Sequence, residues 1–179
     1  DAIATAIKLV NKGYKIDLYR INKKADEMNN NYYHKYSQLR QPLQKLPNIS
    51  EYDAIVDGIF GIGLNRDLEG EVLELVKTIN QKSKYTLAID VPSGLGAFNA
   101  KVYGEAIKAN DTLTFLADKQ GLHTAEGLDY AGKITVANLI NRENIKLSNP
   151  ACQVFKNSIK DINLDIILRK KSNTSKSSY

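Results

Sequence analysis

Apolar and polar positions along this chain switch between a helical period and a strand period. Ile3, Ala6, Ile7 and Val10 recur at helical spacing, and Gly13 stands where that helix would stop. Tyr14 to Ile21 alternates and is rich in β-formers, which predicts a strand. A second amphipathic helix is predicted over 25–40, with Met28, Tyr32, Tyr36 and Leu39 on one stripe. Tyrosines so spaced suit helix–sheet packing better than base stacking. Pro42 and Pro47 bracket a loop leading to an apolar strand over 53–58. Val72, Leu73, Val76 and Ile79 mark the next helix, with Glu69 and Glu71 near its positive start and Lys77 and Lys82 toward its negative end.

Further strands are predicted over 85–90, 112–116 and 133–137. A loop with a short helix fills the stretch up to Ala109, and Gly121, Gly127 and Gly132 punctuate the later connection. A helix over 158–168 and an unstructured polar tail over 171–179 follow. There are no internal repeats. This alternation predicts an α/β fold, a doubly wound, mostly parallel sheet with helices on both faces in a Rossmann-like three-layer sandwich.

Composition narrows the functional classes. The 179 residues are 42% hydrophobic and 25% charged, ordinary for one domain with a real core. No apolar run approaches the length of a membrane span, and no signal peptide is apparent. The chain opens on Asp1 inside a helical pattern, so an internal fragment is expected. A single cysteine, Cys152, excludes an internal disulfide and suits a reducing cytoplasm. Of the net charge of +5, Arg169, Lys170, Lys171 and Lys176 supply four, leaving +1 for the body. A basic, serine-rich end of this kind is a solvated linker more often than a nucleic-acid arm.

The chemistry gathers at two strand ends. Asp57-Gly58-Ile59-Phe60-Gly61-Ile62-Gly63-Leu64-Asn65-Arg66 and Ile89-Asp90-Val91-Pro92-Ser93-Gly94 each carry an apolar run to an aspartate and then break into a glycine-containing turn. A buried parallel strand delivers a carboxylate in this way to the carboxyl edge of a sheet, where open α/β folds place their ligands. Gly61-Ile62-Gly63 is not a dinucleotide fingerprint, because Arg66 stands where the third glycine belongs. The turn either connects strand to helix or lets backbone amides, with Asn65 and Arg66, approach an anion. Asp57 with the Ser93 hydroxyl offers hard oxygen donors for a cation. Alternatively, Asp57 and Asp90 simply cap turns. His34 and His123 lack partners at metal-ligand spacing. Lys119, in the loop after the 112–116 strand, reads as a solvated lysine or a phosphate contact.

These segments resemble the NAD(P)H-hydrate epimerase family, the YjeF N-terminal domain. The resemblance rests on Asp53 to Arg66 followed by Leu68-Glu69-Gly70, on Ala88 to Leu95, and on Ala109 to Phe115. Asp118-Lys119-Gln120-Gly121-Leu122 matches more loosely. It covers most of the stretch up to about residue 139. Asp1 is similar to the last residue of the family's Asn-Asn-Gly-Gly-Asp loop. Asn173 to Tyr179 resembles the opening of the ADP-dependent dehydratase domain of bifunctional relatives, but has Ser175 where histidine is usual and Ser177 where glycine is usual.

The resemblance implies an isomerase that interconverts the R and S forms of hydrated NADH and NADPH. By position it implies Asp57 and Ser93 as ligands of one potassium ion per subunit. Gly61, Ile62, Gly63, Leu64, Asn65, Arg66 and Asp67 would line the substrate. Asp90 would contact the hydrated ring as the catalytic group, and Asp1 would belong to the ligand loop. It further implies residues 1–150 as an epimerase domain lacking its N-terminal part. Residues 151–179 would be a linker and the beginning of a C-terminal dehydratase domain acting in cis. The protein would be a cytoplasmic homo-oligomer without nucleic-acid or membrane partners. Two alternatives remain open at this point: a non-catalytic nucleotide- or protein-binding scaffold of the same fold, and a nucleic-acid-associated protein using the basic tail.

Overall fold

The computed structural model describes residues 1–21, 27–40 and 42–137. Among the described residues, four parallel strands form one sheet in the order β1 (Ile55–Asp57), β2 (Thr86–Ile89), β3 (Asp111–Phe115) and β4 (Lys133–Ala137). The helices are α1 (Ala2–Asn11), α2 (Glu27–Leu39), α3 (Gly70–Lys82) and the single turn α4 (Gly127–Tyr130). This is the α/β, Rossmann-like class that the alternating pattern predicts. The helix over 158–168 and the tail over 171–179 lie outside the described residues.

The β1–α3–β2 unit positions the site. Leu75, Val76 and Ile79 recur on the buried face of α3 and pack with Ile49, Leu68 and Ile107. Each such side chain stabilises the fold by roughly 1.5–3 kcal/mol on burial. A second cluster, Val91, Leu95, Ala97, Ala106, Leu122 and Ala131, anchors the loops that follow β2 and β3. Register between β2 and β3 is set at their start by Asn110, whose side-chain oxygen accepts from Thr86 N at 2.7 Å while its own N–H donates to Thr86 O at 2.8 Å. Parallel register then brings Asp57 level with Ala88 and Ile89 level with Leu113.

Two expectations change. Tyr14 to Ile21 forms no strand of the sheet; Tyr19 alone makes a parallel bridge, to Leu43. Ile16 and Leu18, in the alternating run, line an apolar cavity of about 190 Å³ instead, and Ile55, Val56 and Asp57 of β1 form another of its walls. Lys15, Asp17 and Tyr19 line it as well, and Ile16 to Ile21 are all half-buried, so the alternation in the sequence does not reappear as alternating burial. No helix occurs between β2 and β3. A loop closed by an antiparallel bridge between Leu95 and Val102 takes its place. Of the stripe expected on α2, Tyr36 is packed, fully buried and donating its hydroxyl to Ile16 O at 2.8 Å, whereas Tyr32 and Leu39 are exposed. No helix among the described residues is long and apolar enough to cross a membrane.

Candidate active site

β1 ends at Asp57, whose side chain is buried. Its Oδ1 accepts from Ser93 Oγ at 2.6 Å and Ile59 N at 3.3 Å, and its Oδ2 accepts from Ser93 N at 2.7 Å. Ser93 Oγ in turn accepts from Phe60 N at 2.9 Å. One carboxylate thus stitches the loop after β1 to the loop after β2. Burial pushes the Asp57 carboxyl above its ordinary value, against the lowering effect of the Ser93 and Ile59 bonds. All three donors are neutral, and three bonds leave part of a carboxylate's acceptor capacity (about four lone-pair sites) unused. A buried carboxylate in neutral company favours either a proton or a cation beside it.

Asp90 follows β2 with φ of +72°, a left-handed conformation that Asp and Asn tolerate better than most side chains. Its N–H donates to Leu113 O at 2.8 Å, and Val91 N turns back to Ile89 O at 3.0 Å. Three donors converge on Asp90 Oδ1: Lys119 Nζ at 2.6 Å, Thr114 Oγ1 at 3.2 Å and Phe115 N at 3.4 Å. Lys119 Nζ also donates to Phe115 O at 2.7 Å. The pair is largely enclosed, with side chains 13% and 19% exposed. Asp90 Oδ2 accepts no hydrogen bond from the described residues. A Cβ built on Gly61 would stand 3.6 Å from it, so the glycine loop after β1 passes within contact distance of the free oxygen.

The structure thus brings Asp57, Ser93, Gly61 and Asp90 to one edge of the sheet. Asp1 reaches the same edge: it opens α1, and a Cβ on Gly58 would overlap that of Ala2. The rest of the loop is more open. Ile62, Gly63, Asn65, Arg66 and Asp67 are exposed, Leu64 is half-buried against the core, and Asp67 Oδ1 lies 4.0 Å from Lys101 Nζ. Asn65 and Arg66 make no ion pair or hydrogen bond to either acid among the described residues. His123 pairs with Asp118 at 2.7 Å, and His34 lies 3.3 Å from Gln38; among the described residues neither bonds to Asp57 or Asp90.

Lys119 differs most from the sequence reading, which has it solvated or on a phosphate; it is enclosed on Asp90. Thr114 was missed altogether. The signal was Thr112 and Thr114 at strand spacing in β3, two fully buried hydroxyls in an otherwise apolar pattern. Thr112 Oγ1 donates to Ala131 O at 2.6 Å.

A parallel sheet carrying carboxylates at its carboxyl edge defines an α/β ligand-binding domain. Residues 1–121 match the family described as YjeF-related protein N-terminus, and the chain belongs to that family. Among curated relatives it is 39% identical over 97 residues to an NAD(P)H-hydrate epimerase of Oenococcus oeni, covering 54% of this chain and 46% of that protein. It is 33% identical over 144 residues to an NAD(P)H-hydrate epimerase of Weissella koreensis, covering 78% of this chain and 64% of the relative. It is also 36% identical over 102 residues to a bifunctional NAD(P)H-hydrate repair enzyme, Nnr, of Dictyoglomus turgidum, covering 57% and 20% respectively. The matches therefore span at most about two thirds of these relatives. The crystal structure of yeast ynu0, YNL200c, shares the fold with a TM-score of 0.61 at 18% identity, over 79% of this chain and 62% of that one.

Proposed function

We propose that this chain is the epimerase part of a nicotinamide-cofactor repair enzyme, interconverting the R and S forms of hydrated NADH and NADPH. The observation that carries this reading is the Asp90 carboxylate at the sheet edge, with Oδ2 free toward the glycine loop and Oδ1 held by Lys119, Thr114 and Phe115. The family and the names of its relatives support the substrate class.

The chemistry asks for little more than such a site. The epimerising carbon bears a hydroxyl beside a ring nitrogen, so its C–O bond breaks once the hydroxyl is protonated and the nitrogen lone pair assists. Water then returns to either face of the planar carbon. General acid–base assistance of this kind contributes on the order of a hundred- to ten-thousand-fold. In this reading Asp90 contacts the hydrated ring, and Gly61 to Asp67 line the substrate with Asp1 of the ligand loop.

The donor set around Asp57 fits a potassium ion: oxygen ligands, burial and no basic side chain among the carboxylate's hydrogen-bond donors. Asp57 and Ser93 would hold it, and it would supply positive charge at the sheet edge. Among the described residues no three His, Cys, Asp or Glu side chains gather, so hydroxyl and carbonyl oxygens would complete the shell. Relatives named as bifunctional repair enzymes support the further reading that 1–150 is the epimerase domain and 151–179 leads into a dehydratase in cis.

The test is the rate at which the full-length protein converts purified R hydrate of NADH or NADPH to a mixture with S. Interconversion well above the spontaneous rate is expected. Asp90→Asn, which keeps the shape and tolerates the left-handed backbone, should bind hydrate within several-fold of wild type yet turn over a hundred- to ten-thousand-fold more slowly. Binding without interconversion by the wild type would establish a scaffold instead.

A further inference from the structure

Lys119 has the placement of a working group rather than a loop lysine. It precedes the short 3₁₀ turn Gln120–Leu122, and that turn is pinned: Gly121 N donates to Ala97 O at 2.8 Å, and a Cβ on Gly121 would overlap Gly96 O. Leu122 is fully buried in the cluster behind it. The backbone is thus fixed by packing, and the ammonium is fixed by Asp90 Oδ1 at 2.6 Å and Phe115 O at 2.7 Å. An ammonium has three N–H donors, so two bonds leave one unspent. Asp90 Oδ1, receiving an ammonium, a hydroxyl and an amide N–H, is used wholly as an acceptor.

We propose that Lys119 is a catalytic residue, the acid that protonates the departing hydroxyl, with Asp90 as the base and positioning partner. This rests on the epimerase reading above. In the forward step the Nζ–H bond breaks and an O–H bond forms. The C–O electron pair leaves with the oxygen as water, and the ring nitrogen lone pair forms a C=N bond. In the return step water adds to the carbon, the C=N pair goes back to nitrogen, and Asp90 accepts the excess proton. Transfer across the 2.6 Å contact restores the ammonium. Only the configuration at carbon changes.

Arginine separates this role from electrostatic support, because a guanidinium keeps the positive charge but does not release its proton in a protein. In the full-length protein, Lys119→Met is expected to lower kcat for R-to-S interconversion a hundred- to ten-thousand-fold with a much smaller change in KM. Lys119→Arg is expected to be slow to within about tenfold of the methionine variant. In Lys119→Ala, added alkylamines should restore turnover, and amine basicity should change the size of the effect. Near-wild-type kcat in the methionine variant, restoration by arginine, or failure of amines to rescue an alanine variant that still binds hydrate would each overturn the assignment. A wild-type protein that fails to interconvert the hydrates would overturn the epimerase reading itself, which is a different result.

Discussion

Asp57 ends β1 and Asp90 follows β2, yet their surroundings differ. Asp90 has an ammonium at 2.6 Å and one free oxygen, while Asp57 is sealed among neutral donors. Burial raises the Asp57 carboxyl, so the native state favours its protonated form. That contribution is complete below the ordinary value of 3.8 and fades as pH rises through the raised folded-state value. A cation beside Asp57 acts in the opposite direction, stabilising only the ionised form. Potassium chloride should therefore raise Tm by a few degrees relative to choline chloride, and the gain should grow as pH rises through that range. Asp57→Asn should remove the gain. Equal melting curves in the two salts at neutral pH would leave Asp57 without its ion.

At the level of elements, the turn after β2 is what holds the two acids in register. Gly94 follows Ser93 with φ of +97°, and a Cβ there would overlap the Glu105 backbone carbonyl. Gly94→Ala should therefore cost about 2 kcal/mol or more, read from the urea midpoint at unchanged slope, because strain and a backbone clash act together. An alanine variant as stable as wild type would show that this loop can shift and does not fix Ser93. The same turn marks where sequence reading succeeded. The apolar runs ending in Asp57 and Asp90 identify β1 and β2; β2 is buried almost throughout and leaves a continuous apolar signature, whereas in β1 Val56 stays exposed and Asp57 itself is the buried residue. Tyr14 to Ile21 carries as good a strand pattern, but alternation is silent on whether a backbone finds a partner, and here its residues are half-buried or exposed without alternating. Lys119 was legible as a residue at a strand's carboxyl end, solvated or on a phosphate, but not as the partner of Asp90. Its enclosure depends on Gly121 pressing onto the 96–97 backbone, a contact between loops far apart in sequence.

For the molecule as a whole, the sheet is a scaffold that aligns three loops. The one after β1 supplies Gly61, the one after β2 supplies Asp90 and Ser93, and the one after β3 supplies Lys119. Such a site is suited to breaking and remaking one C–O bond at a planar-capable carbon. The most direct measurement is therefore the fate of that oxygen: the full-length protein is given R hydrate in ¹⁸O-labelled water, and label in the sugar-linked ring hydrate is followed by mass spectrometry beside the R/S ratio. Label should enter in step with interconversion, and both should slow together in Asp90→Asn. Interconversion that leaves the hydroxyl unlabelled would mean that the C–O bond stays intact and that the Asp90–Lys119 pair does other work.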